Sequence, residues 1–368
     1  MFPFLCFFSV PYPPPQIAAT HALSDCHAMG VPAVSALAIA VLPFGLEDKV
    51  MRTANKNRER GLVGVVSVGL NAPKVGLPSA RRRDNTRPCF GRLHDAPLLK
   101  ESSSYFSHLV SFQVGDSLLQ MMAGACAALA ESNCALVGGH TCEGSEMALG
   151  FAINGAATDR AGAGAGSASG VLTKGGLAAG QLLVLTQGLG TGVLFAARMR
   201  NQAKGPWVSA ALQRMCQSSR AAAGLCVQHG AAACTDVTGF GLAGHLAEMC
   251  KASGPGVGAE LWLGAVPLLA GAKECVAKGI FSSLQPANLR LRRAVDVDER
   301  SALARDPAFA LLFDPQTSGG LLVALPPDHA GALVVALQAA GYDDACVIGE
   351  VVARAAGDPD GPSIKLLP

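Results

Sequence analysis

Hydrophobic residues in the first 156 positions switch between the spacing of helices and the spacing of strands. A period of three to four residues indicates a helix, whereas a short continuous apolar run indicates a buried strand. On this basis the sequence predicts helices at 16–30 and 116–131 and strands at 33–42, 134–137 and 147–156. Because these elements alternate, we expect one sheet with helices packed on it.

The helix at 116–131 has the clearest pattern in this half. Asp116 is expected to cap its N-terminus. The side chains expected to face inward recur at helical spacing, and they are Leu118, Leu119, Met122, Cys126 and Leu129. The strand that follows is expected to end in the turn Gly138-Gly139-His140.

The second half repeats this alternation after a stretch of small residues. The run at 157–170 contains mainly Ala, Gly and Ser, and it predicts a linker. Beyond the linker the pattern predicts strands near 182–186, 233–237, 259–263, 320–325 and 346–351, and helices near 190–200, 208–229, 240–252 and 328–340. We therefore expect two domains, at 1–156 and 171–356, followed by a tail at 357–368.

Residues 51–114 interrupt the first domain with a different composition. They hold 11 of the 29 Lys and Arg residues but 4 of the 27 Asp and Glu residues. A structureless stretch of this length is uncommon inside a compact domain, so we expect a disordered basic insertion. Sequence from a wrong exon boundary is one alternative. Another is a nucleic-acid-binding arm that uses Phe90, Arg92, Tyr105 and Phe106.

Composition narrows the class of protein. Half of the 368 residues are hydrophobic, so the chain can bury a full core, and the net charge of +2 argues against a dedicated nucleic-acid or membrane-surface protein. No apolar run reaches the ~18 residues that span a bilayer. The 12 cysteines form no Cys-x-x-Cys pair. We therefore expect reduced core thiols and a cytoplasmic location.

The most informative chemistry lies in the stretch Thr235-Asp-Val-Thr-Gly-Phe-Gly-Leu-Ala-Gly-His245. Asp236 ends a predicted strand, and glycines follow it before the next helix. Such a carboxylate suits a metal ion that carries phosphate, because it binds the hard cation while the first helical N–H groups face the anion. A tight turn with Asp236 as an N-cap is the alternative interpretation.

Three further motifs accompany this stretch: Ile17-Ala-Ala-Thr-His-Ala-Leu-Ser-Asp-Cys-His-Ala-Met-Gly30, Leu136-Val-Gly-Gly-His-Thr-Cys-Glu-Gly144 and Leu312-Phe-Asp-Pro-Gln-Thr-Ser-Gly-Gly-Leu321. In this order, and with the closing Ile348-Gly-Glu-Val351, they resemble selenophosphate synthetase (selenide, water dikinase). That family belongs to the aminoimidazole ribonucleotide synthetase superfamily. The resemblance covers residues 17–50 and 115–356.

The resemblance implies an α/β fold of the α+β type with two domains. In this family the N-terminal sheet closes into a β-barrel with its copy in a homodimer, and the C-terminal domain is an α/β layer. The implied reaction makes selenophosphate from ATP, selenide and water, releases AMP and phosphate, and serves selenocysteine biosynthesis. The implied cofactors are ATP, Mg²⁺ and a monovalent cation such as K⁺, and the ATP site is shared across the dimer interface.

Carried onto this sequence, the resemblance assigns Asp25 to ATP and metal binding and Asp236 to metal binding. Gly139, His140 and Thr141 match a loop that reaches the ATP bound by the partner subunit. Glycines would let backbone N–H groups approach phosphate, and Thr141 adds a hydroxyl. From the residues alone, Asp25 remains open as a solvated carboxylate at a helix end, and His140 as a turn histidine.

The resemblance assigns no catalytic residue in this chain. The family's Cys or selenocysteine and its Lys belong to an N-terminal segment that residues 1–16 do not match. We therefore expect that segment to be missing and the chain alone to have little activity. Cys26 lies beside Asp25, where a thiolate is disfavoured. His21 and Gln187-Gly188 replace the Asn and the Lys-Pro that relatives usually carry.

Two other functions remain open from the sequence. An aminoimidazole ribonucleotide synthetase or a thiamine-monophosphate kinase of the same superfamily would share the two-domain plan. A non-catalytic paralogue could dimerise with an intact synthetase and lend it the loop at 139–141. The pairing of the motif at 24–30 with the motif at 314–320 favours the selenium enzyme.

Overall fold

The structure is a computed structural model that describes residues 16–43, 117–144, 147–157, 171–354 and 363–368. Within these ranges the chain forms one sheet of three strands and one of seven. The predictions for Asp116, for the segment 51–114 and for nearly all of the linker 157–170 lie outside the described residues.

The first sheet has the strand order β2-β1-β3. Its strands are β1 (Ala33–Pro43), β2 (Ala135–Gly144) and β3 (Ala148–Gly155). β1 pairs parallel with β2 and antiparallel with β3. Helix α1 (Gln16–Ala28) and helix α2 (residues 117–131) pack on one face of the sheet through a shared apolar core. The predicted elements of this half are confirmed in type and order.

β2 continues through the glycines that were expected to end it. His140 and Thr141 pair with β1, so the predicted turn at 138–140 is wrong. The register skips Val137, because Leu136 lies opposite Ala36 and Gly138 opposite Leu37. Pairing with β1 therefore overrides the local turn signal.

Gly139 has a structural reason to be glycine. A Cβ atom at this position would lie 2.3 Å from the carbonyl oxygen of Ala38. No other residue fits without moving one of the two strands apart. The glycine therefore serves strand pairing, whatever it also contributes to a ligand.

Helix α2 buries a narrower stripe than predicted. Leu129 is buried, and Leu118 and Met122 pack against the core. The prediction for Leu119 and Cys126 is wrong, because both side chains are exposed. Each is one position, or about 100°, away from the buried stripe on a 3.6-residue helix.

The second sheet has the order β5-β8-β4-β9-β6-β10-β7. The first four neighbouring pairs in this order are antiparallel, whereas β10 runs parallel to both of its neighbours. The strands are β4 (Leu182–Leu185), β5 (Ala233–Asp236), β6 (Val257–Trp262), β7 (Val295–Asp296), β8 (Leu321–Leu325), β9 (Cys346–Ala353) and β10 (Ile364–Leu367).

Helices cover both faces of this sheet. Their bounds are α3 (Thr191–Met199), α4 (Gly205–Cys216), α5 (Arg220–Gln228), α6 (Gly241–Ser253), α7 (Ala272–Ala277), α8 (Gln285–Asn288), α9 (Ala302–Arg305), α10 (Pro307–Leu311) and α11 (Pro327–Ala339), with 3₁₀ turns at Leu263–Ala265 and Leu289–Ala294. One apolar core joins α6 to one face, and a second joins α5 and α11 to the other.

The second half contains short elements that were not predicted, among them β7 and helices α7 to α10, and it differs from the prediction in two longer segments. The helix predicted at 208–229 is two helices, α4 and α5, which are separated by residues 217–219. Residues 364–367, which we assigned to a tail, form β10 inside the sheet and pair with β6 and β7. A four-residue strand that pairs only with distant segments leaves little local pattern to detect.

Helix α1 lies between two layers, which are the first sheet and the second half of the chain. It packs against β3 of the first sheet and against β5, α4 and α5 of the second half. Its buried residues include polar ones, Thr20, Ser24 and His27, so α1 lacks a fully solvated face. This placement brings residues near 25 next to the end of β5.

Two further sequence predictions concern the cysteines and the possibility of a membrane span. Ten cysteines lie within them, and all ten are free thiols. Burial raises the pKa of Cys226 to about 12, which keeps that thiol protonated and unreactive. Among the described helices, none is both long and apolar enough to cross a membrane.

Gly241 gives a direct test of this fold. Its φ is +71°, and a Cβ atom would lie 2.8 Å from the carbonyl oxygen of Leu312. We expect Gly241→Ala to lower the free energy of unfolding by at least about 1 kcal/mol, because alanine disfavours that backbone conformation and has no space. Urea unfolding measures the change.

Gly331→Ala is the matched control. Gly331 lies in α11, and nothing stands within 4 Å of a Cβ atom there. This substitution should stabilise the chain by about 0.5–1 kcal/mol, because alanine favours the helix. Equal effects of the two substitutions would contradict the described backbone at Gly241.

Candidate functional site

The face of α1 that meets the second half carries three polar side chains. His21, Ser24 and Asp25 are spaced i, i+3 and i+4, so they lie on one side of the helix. Ser24 is buried, whereas Asp25 stays open to solvent. The helix therefore presents a carboxylate to solvent beside its contact with the second half.

Asp236 is the last residue of β5, as the sequence predicted. Its side chain is 6% exposed. The Ser24 hydroxyl donates a hydrogen bond of 2.7 Å to its Oδ2 atom. A buried carboxylate needs such a donor, because burial without one is costly. This bond joins α1 to the strand end.

Asp25 and Asp236 are close enough for their charges to interact. Partial burial raises the pKa of Asp25, and the Asp236 carboxylate raises it further. Lys174 and His245 act in the opposite direction. Because the two carboxylates carry like charges close together, a cation placed between them would be stabilised by both.

A chain of polar contacts borders this pair. The Lys174 ammonium lies 2.7 Å from Oε2 of Glu248, and Nδ1 of His245 lies 3.4 Å from the same oxygen. The other ring nitrogen of His245 lies 3.3 Å from the Thr238 hydroxyl. Hydrogen bonding with His245, aided by Lys174, lowers the pKa of Glu248 to about 2 against the effect of burial. Glu248 therefore stays ionised and holds Lys174 and His245 beside the site.

His21 links α1 to the motif at 314–320. The Ser318 N–H donates a hydrogen bond of 2.9 Å to Nδ1 of His21. Burial lowers the pKa of His21, although Asp236 opposes this shift. The ring is therefore neutral, with its proton on the other nitrogen. In this chain, the residue that replaces the family's asparagine contacts the protein backbone.

The glycine-rich turn after Asp236 uses several of its N–H groups within the fold. At the start of α6, Gly241 N–H donates to the Thr238 carbonyl, and Ala243 N–H donates to the Leu312 carbonyl. These groups are therefore not free for phosphate. The expectation that the first helical N–H groups face an anion is wrong for these two residues.

The Asp314-Pro-Gln-Thr-Ser-Gly-Gly320 motif caps α3. The Val193 N–H donates to Oδ2 of Asp314. The Gln316 side-chain oxygen accepts hydrogen bonds from the N–H of Gly190 and from the N–H and hydroxyl of Thr191. Burial raises the pKa of Asp314 to about 7, although these hydrogen bonds favour its charged form. This motif therefore has a structural role at the start of α3.

The structure brings together Asp25 and Asp236 but not the other predicted site residues. Gly139, His140 and Thr141 are exposed on β2. Among the described contacts, none joins them to either aspartate. Cys26 is buried, and burial, Asp25 and Cys134 all raise its pKa. Its thiolate is therefore disfavoured, as expected.

The two carboxylates of Asp25 and Asp236 suit a magnesium ion better than a metal centre whose ligands all come from the protein. Within the described ranges, no group of three or more His, Cys, Asp or Glu side chains is placed to hold a metal. Mg²⁺ is commonly held by one or two carboxylates, with water and substrate phosphates as its other ligands. Asp25 and Asp236 provide such a pair of carboxylates.

Sequence reasoning missed several residues around this pair. Ser24, Lys174 and Glu248 were not proposed as parts of the site. Ser24 and His21 share a helix face with Asp25, and this spacing is visible in the sequence. Lys174 follows the linker, and its contact with α6 depends on the folded arrangement.

Two family profiles match the chain. Residues 104–158 match "AIR synthase related protein, N-terminal domain", and residues 178–360 match "AIR synthase related protein, C-terminal domain". The chain belongs to the AIR synthase-related family. The two-domain α/β fold that the four motifs implied is therefore confirmed.

Relatives of this AIR synthase-related chain include several proteins named selenide, water dikinase. The chain is 39% identical over 237 residues to that of Trichlorobacter lovleyi and 40% identical over 224 residues to that of Pelobacter propionicus. These matches cover 64% and 60% of this chain, and the same shares of the relatives. The resemblance to selenophosphate synthetase is confirmed. The chain spans less than two thirds of the length of these relatives.

Solved structures of two other proteins share the fold. The hydrogenase maturation protein HypE in complex with ATP matches with a TM-score of 0.59 and 14% identity, over 96% of this chain and 76% of that chain. Thiamine monophosphate kinase from Aquifex aeolicus matches with a TM-score of 0.52 and 15% identity, over 96% of this chain and 81% of that chain. At this identity the likeness concerns the fold alone.

The raised pKa of Asp314 makes stability depend on pH. The folded chain keeps a proton on Asp314 up to a pH of about 7, whereas the unfolded chain releases it near pH 4. Stability should therefore fall as pH rises between these values, by about 1.4 kcal/mol per pH unit for this group. Asp314→Asn should flatten that part of the profile, as measured by urea unfolding from pH 4 to pH 8.

Asp328→Asn provides the comparison, because Asp328 is an exposed residue in the first turn of α11. Its profile should run parallel to that of the unsubstituted chain. A parallel profile for Asp314→Asn as well would mean that Asp314 is ionised in the folded chain.

Proposed function

We propose that this chain serves the selenide, water dikinase reaction, in which selenophosphate is made from ATP, selenide and water and AMP and phosphate are released for selenocysteine biosynthesis. Little turnover by the chain alone stays a prediction. The proposal takes its reaction from the relatives that carry this name. It is supported in this chain by the proximity of Asp25 and Asp236, whose charges interact where α1 meets the end of β5.

We assign a magnesium ion to Asp25 and Asp236, and we place ATP beside them, near the contact between α1 and the end of β5. Bound there, Mg²⁺ would neutralise part of the triphosphate charge. Asp236 is fixed by its buried position and its bond to Ser24, whereas Asp25 is open to solvent. One rigid and one accessible carboxylate can accept an ion that arrives with its nucleotide. We assign no residue to the monovalent cation.

We further propose a homodimer in which Gly139, His140 and Thr141 of the partner subunit complete the ATP site. β2 is an edge strand of the described sheet, and several apolar side chains of this sheet are exposed: Val34, Leu37, Ile39, Leu136 and Val137. An exposed apolar patch of this kind is typical of a protein interface. A second copy would cover both the patch and the strand edge.

The proposed location is the cytoplasm, with selenide as the small-molecule substrate and neither membrane nor nucleic acid as a partner. The free thiols of the described residues agree with a reducing compartment.

Removing either aspartate tests the nucleotide site. We expect Asp25→Asn and Asp236→Asn each to weaken binding of a non-hydrolysable ATP analogue in the presence of Mg²⁺ by more than about tenfold, because each removes a charge that holds the cation. Isothermal titration calorimetry with the purified full chain measures this affinity.

Asp296→Asn serves as the control, because Asp296 is an exposed aspartate on β7. It should leave the affinity unchanged. The proposal would be wrong if the unsubstituted chain bound no nucleotide with Mg²⁺, or if both site variants bound it as tightly as the control. A separate assay of AMP and selenophosphate production from selenide then tests the prediction that the chain alone turns over little.

The proposed dimer makes a separate prediction. Val137 is 63% exposed on β2 and Val335 is 67% exposed on α11. Val137→Lys should shift the chain from dimer to monomer in sedimentation equilibrium, because it places a charge in the proposed apolar interface. Val335→Lys introduces the same change elsewhere and should leave the dimer intact. A monomeric unsubstituted chain would refute the dimer.

A further inference from the structure

Ser24 occupies an unusual position beside the two aspartates. It precedes Asp25 in the chain, its side chain is 3% exposed, and its hydroxyl lies 2.7 Å from Oδ2 of Asp236. In the part of the chain that the structure describes, no other side chain donates a hydrogen bond to the Asp236 carboxylate. One residue of α1 therefore contacts one aspartate while its neighbour supplies the other.

The single proton of Ser24 has two acceptors within reach. The hydroxyl oxygen lies 2.8 Å from the His21 carbonyl oxygen as well as 2.7 Å from Oδ2 of Asp236. In a helix the carbonyl of residue 21 already accepts the N–H of residue 25. A carboxylate is also the stronger acceptor, because it is charged. The proton therefore belongs to the bond with Asp236.

This bond determines how Asp236 is oriented. Rotation of the carboxylate would break a charge-assisted hydrogen bond in a buried place, where the loss is costly. With Oδ2 held by Ser24, the other oxygen of Asp236 is the one left for a cation. Because Ser24 and Asp25 are adjacent in α1, the same helix sets the positions of both carboxylates.

We propose that Ser24 is a positioning residue for the cation site, which it serves by holding the Asp236 carboxylate in the orientation that binds Mg²⁺ together with Asp25. This inference rests on the proposed function. It also explains why a polar side chain is buried on a face of α1 that packs against the second half.

Ser24→Ala isolates the hydroxyl. Alanine has the higher helix propensity, so α1 itself should not be weakened. We expect the affinity for the ATP analogue with Mg²⁺ to fall by about 10–100-fold, the usual effect of removing a partner that orients a metal ligand. Nucleotide binding measured in EDTA should be unchanged, because the role concerns the cation. Ser24→Thr, which restores a hydroxyl, should recover part of the lost affinity.

Ser132→Ala is the matched control. Ser132 is also buried, at the end of α2, and its hydroxyl has no hydrogen-bond partner among the described residues. It removes a buried hydroxyl without touching the site, so the affinity with Mg²⁺ should not change. Urea unfolding of all three variants and of the unsubstituted chain checks that each one folds.

The outcomes separate the two proposals. A normal affinity with Mg²⁺ in Ser24→Ala, when Asp236→Asn has lost it, would overturn the role of Ser24 and leave the proposed function standing. Equal losses with Mg²⁺ and in EDTA would also overturn it, because they would indicate a merely structural role. An unsubstituted chain without affinity for the nucleotide would overturn the proposed function and, with it, this inference.

Discussion

The arrangement of the site depends on one contact, between a face of helix α1 and the end of strand β5. Two carboxylates, Asp25 and Asp236, are held near each other there although their charges repel. Their closeness is maintained by Ser24, which bonds to Asp236 from the same helix that carries Asp25. His21 adds a second link through the backbone of Ser318. Two polar bonds, from Ser24 and from Ser318, therefore join the two layers beside the paired carboxylates.

Much of the fold could be predicted from the sequence, because most of its elements carry their own pattern. The apolar runs of β1 and β8 and the periodic positions of α6 predict their type without any knowledge of neighbours. The start of β2 was predicted but its continuation was not, since its glycines signal a turn and only the register with β1 makes them part of a strand. β10 failed for a related reason, because its pairing is with distant segments.

The candidate site, too, could be predicted from the sequence only in part. Asp236 follows from a strand end beside a glycine-rich turn, which is a local feature. Asp25 was assigned by the resemblance to a family, because a carboxylate near a helix end has no distinctive local signal. Their proximity, and the parts of Ser24 and Glu248 in supporting it, depend on segments far apart in the chain. Only the folded arrangement reveals such contacts, and a pattern along the sequence cannot supply them.

The caps of helices α3 and α6 have a consequence for how a polyphosphate is neutralised. The positive ends of helices are natural anion sites, yet in α3 this end is occupied by Asp314 and Gln316, and in α6 backbone carbonyls take up two of the N–H groups. The N-termini of these two helices are thus used within the fold. We therefore expect cations from solution to supply much of the positive charge that a nucleotide needs at the paired aspartates, so that nucleotide occupancy there follows the ionic composition of the solution.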